Sequence, residues 1–273
     1  MRLGALPEGF KHFCSRAELF EGVFKSPVKL NNFSRLLFLM IIAGLQKTSL
    51  VDWPEKICST VFIAGCNFRC PFCHNPELVL PEQIEQLEPM SENELFTALV
   101  ERKRFIDGVC ITGGEPLLSP DIVKLLHKLK EKGFAVKLDT NGSVPTLLKK
   151  LIDEKLVDYV AMDIKAPKER YAEATGVNSN MKLVEESIKI LKESGIGYEF
   201  RTTVVKGLLS KDDIKGIGSW LAGSDAYYLQ AFIGTEKTLD PAYYQRKSYT
   251  PEDLNDMMGS VKGHFKKTGV RGI

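Results

Sequence analysis

The sequence has no long hydrophobic run, no surplus of charge and no even spread of cysteines, and each lack closes off a class of protein. Its longest apolar stretch, Leu36 to Leu45, has ten residues, about half of the ~20 needed to span a bilayer. No small-residue cleavage site clearly follows it, so no membrane partner is expected and the expected compartment is the cytoplasm. Lysine and arginine number 37 against 35 acidic residues, a net charge of +2. No global field advertises nucleic acid or anionic lipid, and no nucleic-acid partner is expected. At 273 residues, 44% hydrophobic and 26% charged, the chain can bury one sizeable core.

Half of the six cysteines, Cys66, Cys70 and Cys73, sit within eight positions of CNFRCPFCHNPEL. A disulfide framework spaces its cysteines along the chain instead. Cys58 opens the apolar run CSTVFIA and Cys110 lies inside GVCIT, so both are read as small core hydrophobes. Cys14 belongs to residues 1–39, an N-terminal extension without clean periodicity. That extension has three readings: a helix around Ala17 to Phe24, a disordered arm, or sequence ahead of a true start at Met40.

Residues 40–273 are read as one domain. Six apolar runs, CSTVFIA, GVCIT, FAVKLD, YVAMDI, YEFRTTVV and AYYLQAF, are mostly separated by amphipathic stretches. That alternation predicts an α/β fold, a partial, open parallel βα barrel of about six strands. One helix carries a capping box at Ser91 and Glu94 with a stripe of Leu95, Leu99 and Val100. Another is predicted to start with Ser119 as N-cap and Pro120 at the first helical position, and to stop at Gly133. A C-terminal helix from Thr250-Pro251 is predicted to carry Leu254, Met257, Met258, Val261 and Phe265 on one stripe.

In such folds ligands gather where strands end. The cysteine loop follows the first predicted strand and Gly113-Gly114-Glu115-Pro116 the second. Asp139-Thr140-Asn141-Gly142 ends the third, and Asp163 and Lys165 end the fourth. Four loops should therefore line one mouth. Zinc could use three cysteines and His74, but side chains on consecutive residues diverge, and no second Cys or His pair follows. Three thiolates with one position open suit an iron-sulfur cluster that must bind something else. Each other residue has a plainer reading: a tight turn at Gly113-Gly114, with Glu115 suiting the helix start; core for Phe72; a turn at Asp139 to Asn141; a surface ion pair for Asp163 and Lys165; a solvent-facing Arg201.

Cys66-x3-Cys70-x2-Cys73, with Phe72 before the last cysteine and GGEP after the next strand, resembles the radical SAM superfamily. The resemblance implies that Cys66, Cys70 and Cys73 hold a 4Fe-4S cluster whose fourth iron binds S-adenosylmethionine. By the same resemblance Phe72 packs near adenine, and the edge Gly113, Gly114 and Glu115 receives the methionine amino group. Asp139, Thr140, Asn141, Asp163 and Lys165 would surround the methionine and ribose, the two aspartates would help hold a monovalent cation, and Arg201 would face the cofactor.

A narrower resemblance rests on AGLQKTSLVDWP, CNFRCPFCHNPEL, CITGGEPLL, KLDTNG, YVAMDIKAP and the terminal VRGI. These are similar to the longer type of anaerobic ribonucleoside-triphosphate reductase activating proteins; CHNPEL and LDTNG also point to the wider glycyl-radical activases, including those of pyruvate formate-lyase. LQAFIGTEKTLDP departs from that pattern, which has a second polar residue after Gln230 and Arg-Pro in place of Ile233-Gly234. The activity implied is reductive cleavage to a 5'-deoxyadenosyl radical that takes a Cα hydrogen from a glycine of the partner. The electron would come from a low-potential donor such as ferredoxin or flavodoxin. Competing readings are a radical SAM enzyme acting on a small molecule or tRNA, and a zinc-binding module without catalysis.

Overall fold

The computed structural model describes residues 40–273; the expectations for the N-terminal extension and Cys14 lie outside the described residues. Strands form where apolar residues alternate with others. They are β1 (Ile42–Ser49), β2 (Cys58–Ile63), β3 (Gly108–Gly113), β4 (Ala135–Thr140), β5 (Tyr159–Asp163), β6 (Gly197–Val204), β7 (Ala226–Ala231) and β8 (Lys267–Arg271). They make one sheet in sequence order, with β1 and β8 at its edges. β1 is antiparallel to β2, and every later pair is parallel. Because the edges do not pair, the barrel stays open.

The predicted α/β open barrel is present, with eight strands rather than about six. The six counted runs are β2 to β7, and the additions are the edges. β1 exposes Gln46, Lys47 and Thr48 in succession, and β8 is the polar pentapeptide KTGVR. An edge strand buries little on either side, so neither shows the apolar period that betrays a central strand.

Besides a single four-residue turn of helix at Pro81–Ile84, the helices between strands are α1 (Glu92–Arg102), α2 (Ile122–Glu131), α3 (Pro145–Asp153), α4 (Tyr171–Thr175), α5 (Met181–Glu193), α6 (Lys211–Trp220) and α7 (Pro251–Gly259). The capping box of α1 is formed: Ser91 Oγ accepts from the Glu94 amide at 3.2 Å, and Glu94 Oε2 accepts from the Ser91 amide at 2.8 Å. Val100 is not on the buried stripe but 52% exposed. Ser119 does not cap α2 through its side chain. A short 3-10 turn, Pro116–Leu118, comes first, and the Ser119 carbonyl takes the Ile122 amide at 3.3 Å. Gly133 ends that helix at φ +73°, a left-handed conformation that glycine adopts without penalty. The last helix is shorter than its stripe predicted. It stops at Gly259; Val261 lies beyond it, packed where a Cβ on Gly218 would come within 2.6 Å of its methyl. The chain then turns into β8, so Phe265 is not on the helix.

The two faces of the sheet differ. Val61, Ile63, Val109, Ile111, Val136, Leu138, Val160, Met162 and Phe200 point outward into one core shared with Leu95, Leu99, Leu125, Leu126, Leu148 and Leu151 of the helices. The alternate residues point inward, and most of them are polar. Register aligns Cys110 with Lys137, Lys137 with Tyr159, Asp163 with Arg201, Arg201 with Tyr228, and Gln230 with Arg271. A parallel sheet is ordinarily apolar on both faces. Here one face is a charged lining.

Candidate active site at the mouth of the barrel

The loop after β2 is held on three sides. Gly65 lies at φ +102°, and its amide donates to the Leu78 carbonyl at 2.8 Å, closing the loop at its base. The Arg69 amide donates to the Thr175 carbonyl of α4 at 2.7 Å, and the Arg69 guanidinium donates to the Cys66 and Phe68 carbonyls at 2.7 and 2.8 Å. From the other side the segment after β7 folds over. The Leu239 amide donates to the Cys73 carbonyl and the Asp240 amide to the Pro71 carbonyl, both at 2.9 Å. Gly234, where the resembled pattern has a proline, is wedged among carbonyls: a Cβ there would sit 2.7 Å from the Tyr244 oxygen. Phe72 is buried edge-on to Phe232 at 6.4 Å, so its ring serves the core in this structure.

Cys66, Cys70 and Cys73 are thereby brought to one place. Burial, and then the neighbouring Cys70, push the Cys66 thiol up to about 12. Burial pushes Cys70 up to about 11 against the pull of Lys165. Burial raises Cys73 as well. Such thiols are inert until a cation sits among them, and a coordinating metal deprotonates a thiol outright. His74 turns away, stacked on Phe232 at 5.1 Å with its Nε2 2.8 Å from the Ile233 carbonyl. Among the described residues no three Cys, His, Asp or Glu side chains stand close enough to hold a single metal ion. A cluster asks for something different, since each thiolate meets its own iron. Three soft thiols without a fourth protein ligand fit a cluster with one open position.

The glycines of the next loop are needed by the protein's own backbone. A Cβ on Gly113, at φ +127°, would lie 2.1 Å from the Ile63 carbonyl oxygen, and one on Gly114 would lie 2.2 Å from that of Gly65. The close approach is that of β3 to the cysteine loop, sealed by Gly114 N–H to the Ile63 carbonyl at 2.9 Å and Glu115 N–H to the Gly65 carbonyl at 2.7 Å. Glu115 is fully buried, and burial pushes its carboxyl up to about 7. It accepts from Thr140 Oγ1 at 2.9 Å and from the amides of Asn141 at 2.6 Å and Leu117 at 3.1 Å. Asn141 Nδ2 donates in turn to Asn67 Oδ1 at 3.0 Å and lies 4.0 Å from Cys66 Sγ. Glu115, Thr140 and Asn141 thus tie the end of β4 to the cysteine loop, and their polar atoms are already occupied by protein partners.

Asp139, Asp163, Lys165 and Arg201 form the charged side of the mouth. Arg201 bridges both aspartates, with Nε 2.9 Å from Asp163 Oδ1 and a terminal nitrogen 3.3 Å from Asp139 Oδ2. Lys165 Nζ is 3.0 Å from Asp163 Oδ2, and Lys137 Nζ pairs with Asp139. Burial works to raise Asp163, but Arg201 and Lys165 hold it down at about 2. Asp139 is lowered in the same way, by Arg201 and Lys137 against burial. Arg201 is only 9% exposed and not a solvent-facing arginine. Between the two carboxylates, where the resemblance places a monovalent cation, the positive charge is its guanidinium. Lys137, Glu199, Tyr159 and Arg271, which the sequence reading did not single out, continue this lining inward. For Lys137 and Glu199 a signal was present: in KLD and YEFR a charged residue stands beside every apolar one, inside runs otherwise read as buried strands.

An open parallel barrel with three thiols above its first parallel strand and paired charges beyond defines a cofactor-dependent α/β enzyme. The chain belongs to the radical SAM superfamily, which matches residues 60–217 and which uses a 4Fe-4S cluster with S-adenosylmethionine. It is 34% identical over 197 residues to a Methanocaldococcus jannaschii protein named as a glycyl-radical enzyme activating enzyme, covering 70% of this chain and 80% of that one. It is 29% identical over 185 residues to the pyruvate formate-lyase-activating enzyme of Clostridium pasteurianum, covering 65% and 74%. Among solved structures, Streptococcus suis SuiB with its precursor peptide SuiA shares the fold at a TM-score of 0.61 and 15% identity; the match covers 97% of this chain and 61% of SuiB. No helix among the described residues is long and apolar enough to cross a membrane.

Proposed function

We propose that this protein is a glycyl-radical activase acting in the cytoplasm on anaerobic ribonucleoside-triphosphate reductase. What carries the reading is the reach of the likeness to a glycyl-radical activating enzyme, 80% of that protein's length, on a barrel whose edges β1 and β8 stay apart. An unclosed sheet leaves room for a loop of a partner protein to reach the mouth. The finer assignment is supported by AGLQKTSLVDWP and VRGI. In the structure these motifs are framework: Trp53 packs on Cys58 and Cys110, and Arg271 pairs with Glu199.

Cys66, Cys70 and Cys73 are assigned to the cluster. The Gly113-Gly114 edge, Asp139, Asp163, Lys165 and Arg201, with Phe72 behind the loop, are assigned to S-adenosylmethionine. When bound, the cluster and S-adenosylmethionine supply reductive cleavage of the C5'–S bond and a radical able to take a Cα hydrogen from glycine. The protein positions the reactants and keeps water out. Lys137, Arg201 and Lys165 against Asp139 and Asp163 leave one positive charge in excess, suited to the methionine carboxylate. A low-potential carrier, ferredoxin or flavodoxin, is assigned as electron donor.

The test is direct. Reduced protein, S-adenosylmethionine and the anaerobic reductase of the same organism should yield a doublet glycyl-radical EPR signal with a comparable amount of 5'-deoxyadenosine. The signal should vanish when the acceptor glycine is replaced by alanine. A signal on a formate-lyase-type protein alone would keep the activase class and overturn the named partner.

A further inference from the structure

Two buried groups in the mouth lack side-chain partners, and they are complementary. Tyr171 opens α4, is 1% exposed, and its hydroxyl makes no hydrogen bond. The phenol lies beside the Lys165 amide, outside hydrogen-bond geometry, and close enough to Cys70 and Lys165 to feel their charge. Its ring is wedged edge-on between Phe68 at 6.4 Å and Trp220 at 6.3 Å, so it cannot swing out to solvent. The helix that carries it is clamped to the cysteine loop: besides the Arg69 to Thr175 hydrogen bond, a Cβ on Gly176 would lie 2.3 Å from the Arg69 carbonyl oxygen.

A buried hydroxyl left unpaired is costly, and a phenol can repay that cost by donating. Cys66 already receives the Phe68 amide at 3.4 Å and faces the Asn141 amide group. The Asp163 oxygens are taken by Arg201 and Lys165. The Cys70 sulfur accepts from no side chain among the described residues, and Cys70 and Tyr171 belong to one buried cluster in which the charge of Cys70 reaches the phenol.

We propose that the Tyr171 hydroxyl donates a hydrogen bond to the Cys70 sulfur once that sulfur ligates iron, and thereby raises the reduction potential of the cluster. The inference rests on the assignment of Cys70 to the cluster. A hydrogen bond to a ligand sulfur spreads the negative charge added on reduction, so it favours the reduced state. Tyr171 then adjusts how readily the electron arrives without touching the glycine or the partner.

The experiment uses the full chain, reconstituted anaerobically, without S-adenosylmethionine. Tyr171→Phe should keep four irons per chain and lower the cluster midpoint potential in an EPR-monitored titration. Its affinity for S-adenosylmethionine should stay within about twofold of the parent, well under the 1.4 kcal/mol of a tenfold change. The metal-free variant should be as stable as the parent or more so, since an unpaired hydroxyl is gone. In the reduced parent, an exchangeable proton coupled to the cluster should be lost in D2O and absent from Tyr171→Phe. An unchanged potential, or a parent without that proton, overturns the proposal whether or not cofactor binding weakens. A parent that assembles no four-iron cluster overturns the assignment of Cys70 itself, which separates the two failures.

Discussion

The mouth and the floor of this barrel are built from the same chemistry. Each has thiols, the buried Cys70 with half-buried Cys66 and Cys73 above and the buried Cys58 and Cys110 below, and each has carboxylates paired with arginine, Asp139 and Asp163 with Arg201 above and Glu199 with Arg271 below. On the floor every group has its match. Cys58 and Cys110 are closed over by Trp53, and Glu199 takes both nitrogens of Arg271 at 2.6 and 2.8 Å and the Tyr159 hydroxyl at 3.0 Å. The mouth is left unfinished: three thiols share one loop, one cation is in excess, and the two unpaired buried hydroxyls among the described residues, Ser119 and Tyr171, lie in the connections that follow β3 and β5. Residue type therefore says little about role here. Completeness of pairing says more.

The sharpest way to break that comparison is to delete one cysteine from each end. Cys70→Ala should reduce S-adenosylmethionine cleavage to background and prevent assembly of the four-iron cluster, measured as iron content and 5'-deoxyadenosine release. Cys58→Ala or Cys110→Ala should assemble the cluster and lose only about 1 kcal/mol of stability. Loss of the cluster in the floor variants would erase the distinction.

The carboxylate pairs give the next largest effect. Arg271→Ala leaves Glu199, which is 0% exposed, as a buried charge without its partner, a loss of roughly 3–5 kcal/mol in denaturant unfolding. Affinity for S-adenosylmethionine should hold in the fraction that folds. Lys165→Ala should do the reverse. It removes a charged contact worth ~1.5–3 kcal/mol, so cofactor affinity should fall on the order of tenfold to a hundredfold with the cluster still assembled.

Glu115 sharpens the contrast through pH. Burial pushes its carboxyl from 4.5 up to about 7, so between those values the folded chain holds a proton that the unfolded chain has released. Stability should therefore fall as pH rises through this window, by ~3 kcal/mol in all. Glu115→Gln should flatten that fall in urea titrations across the range. Asp163, held down at about 2, has the opposite sign: its contribution is present above the unfolded aspartate value and is lost as pH drops toward 2. A parent protein whose stability rises between pH 4.5 and 7 would show that Glu115 is ionised throughout.

The outer face of the fold was legible because its strands are helix-covered and apolar at alternate positions; β2 to β7 follow from that period alone. The cysteine loop and GGEP were legible because their spacing is local. What was not legible depends on partners far along the chain. Nothing local in the sequence pairs Lys137, Glu199 and Arg271; register does, setting Lys137 beside Tyr159, Glu199 beside Ala161 and Arg271 beside Gln230. The glycines of GGEP read as room for a ligand, and the structure shows that β3 needs them to approach the cysteine loop. Val261 and Phe265 continued a helical spacing past Gly259, where the backbone turns away for β8.

Ser119 carries the smallest expected effect and still discriminates. As an N-cap it would contribute about 1 kcal/mol, the usual cost of replacing such a serine by alanine. In the structure its hydroxyl caps nothing and is buried without a partner, while its backbone carbonyl, which alanine retains, takes the Ile122 amide. Removing a buried unpaired hydroxyl while keeping the backbone bond should leave stability within about 0.5 kcal/mol or raise it. A loss near 1 kcal/mol in Ser119→Ala would show that the hydroxyl does cap α2 in solution. The mouth would then hold a single unpaired hydroxyl, that of Tyr171.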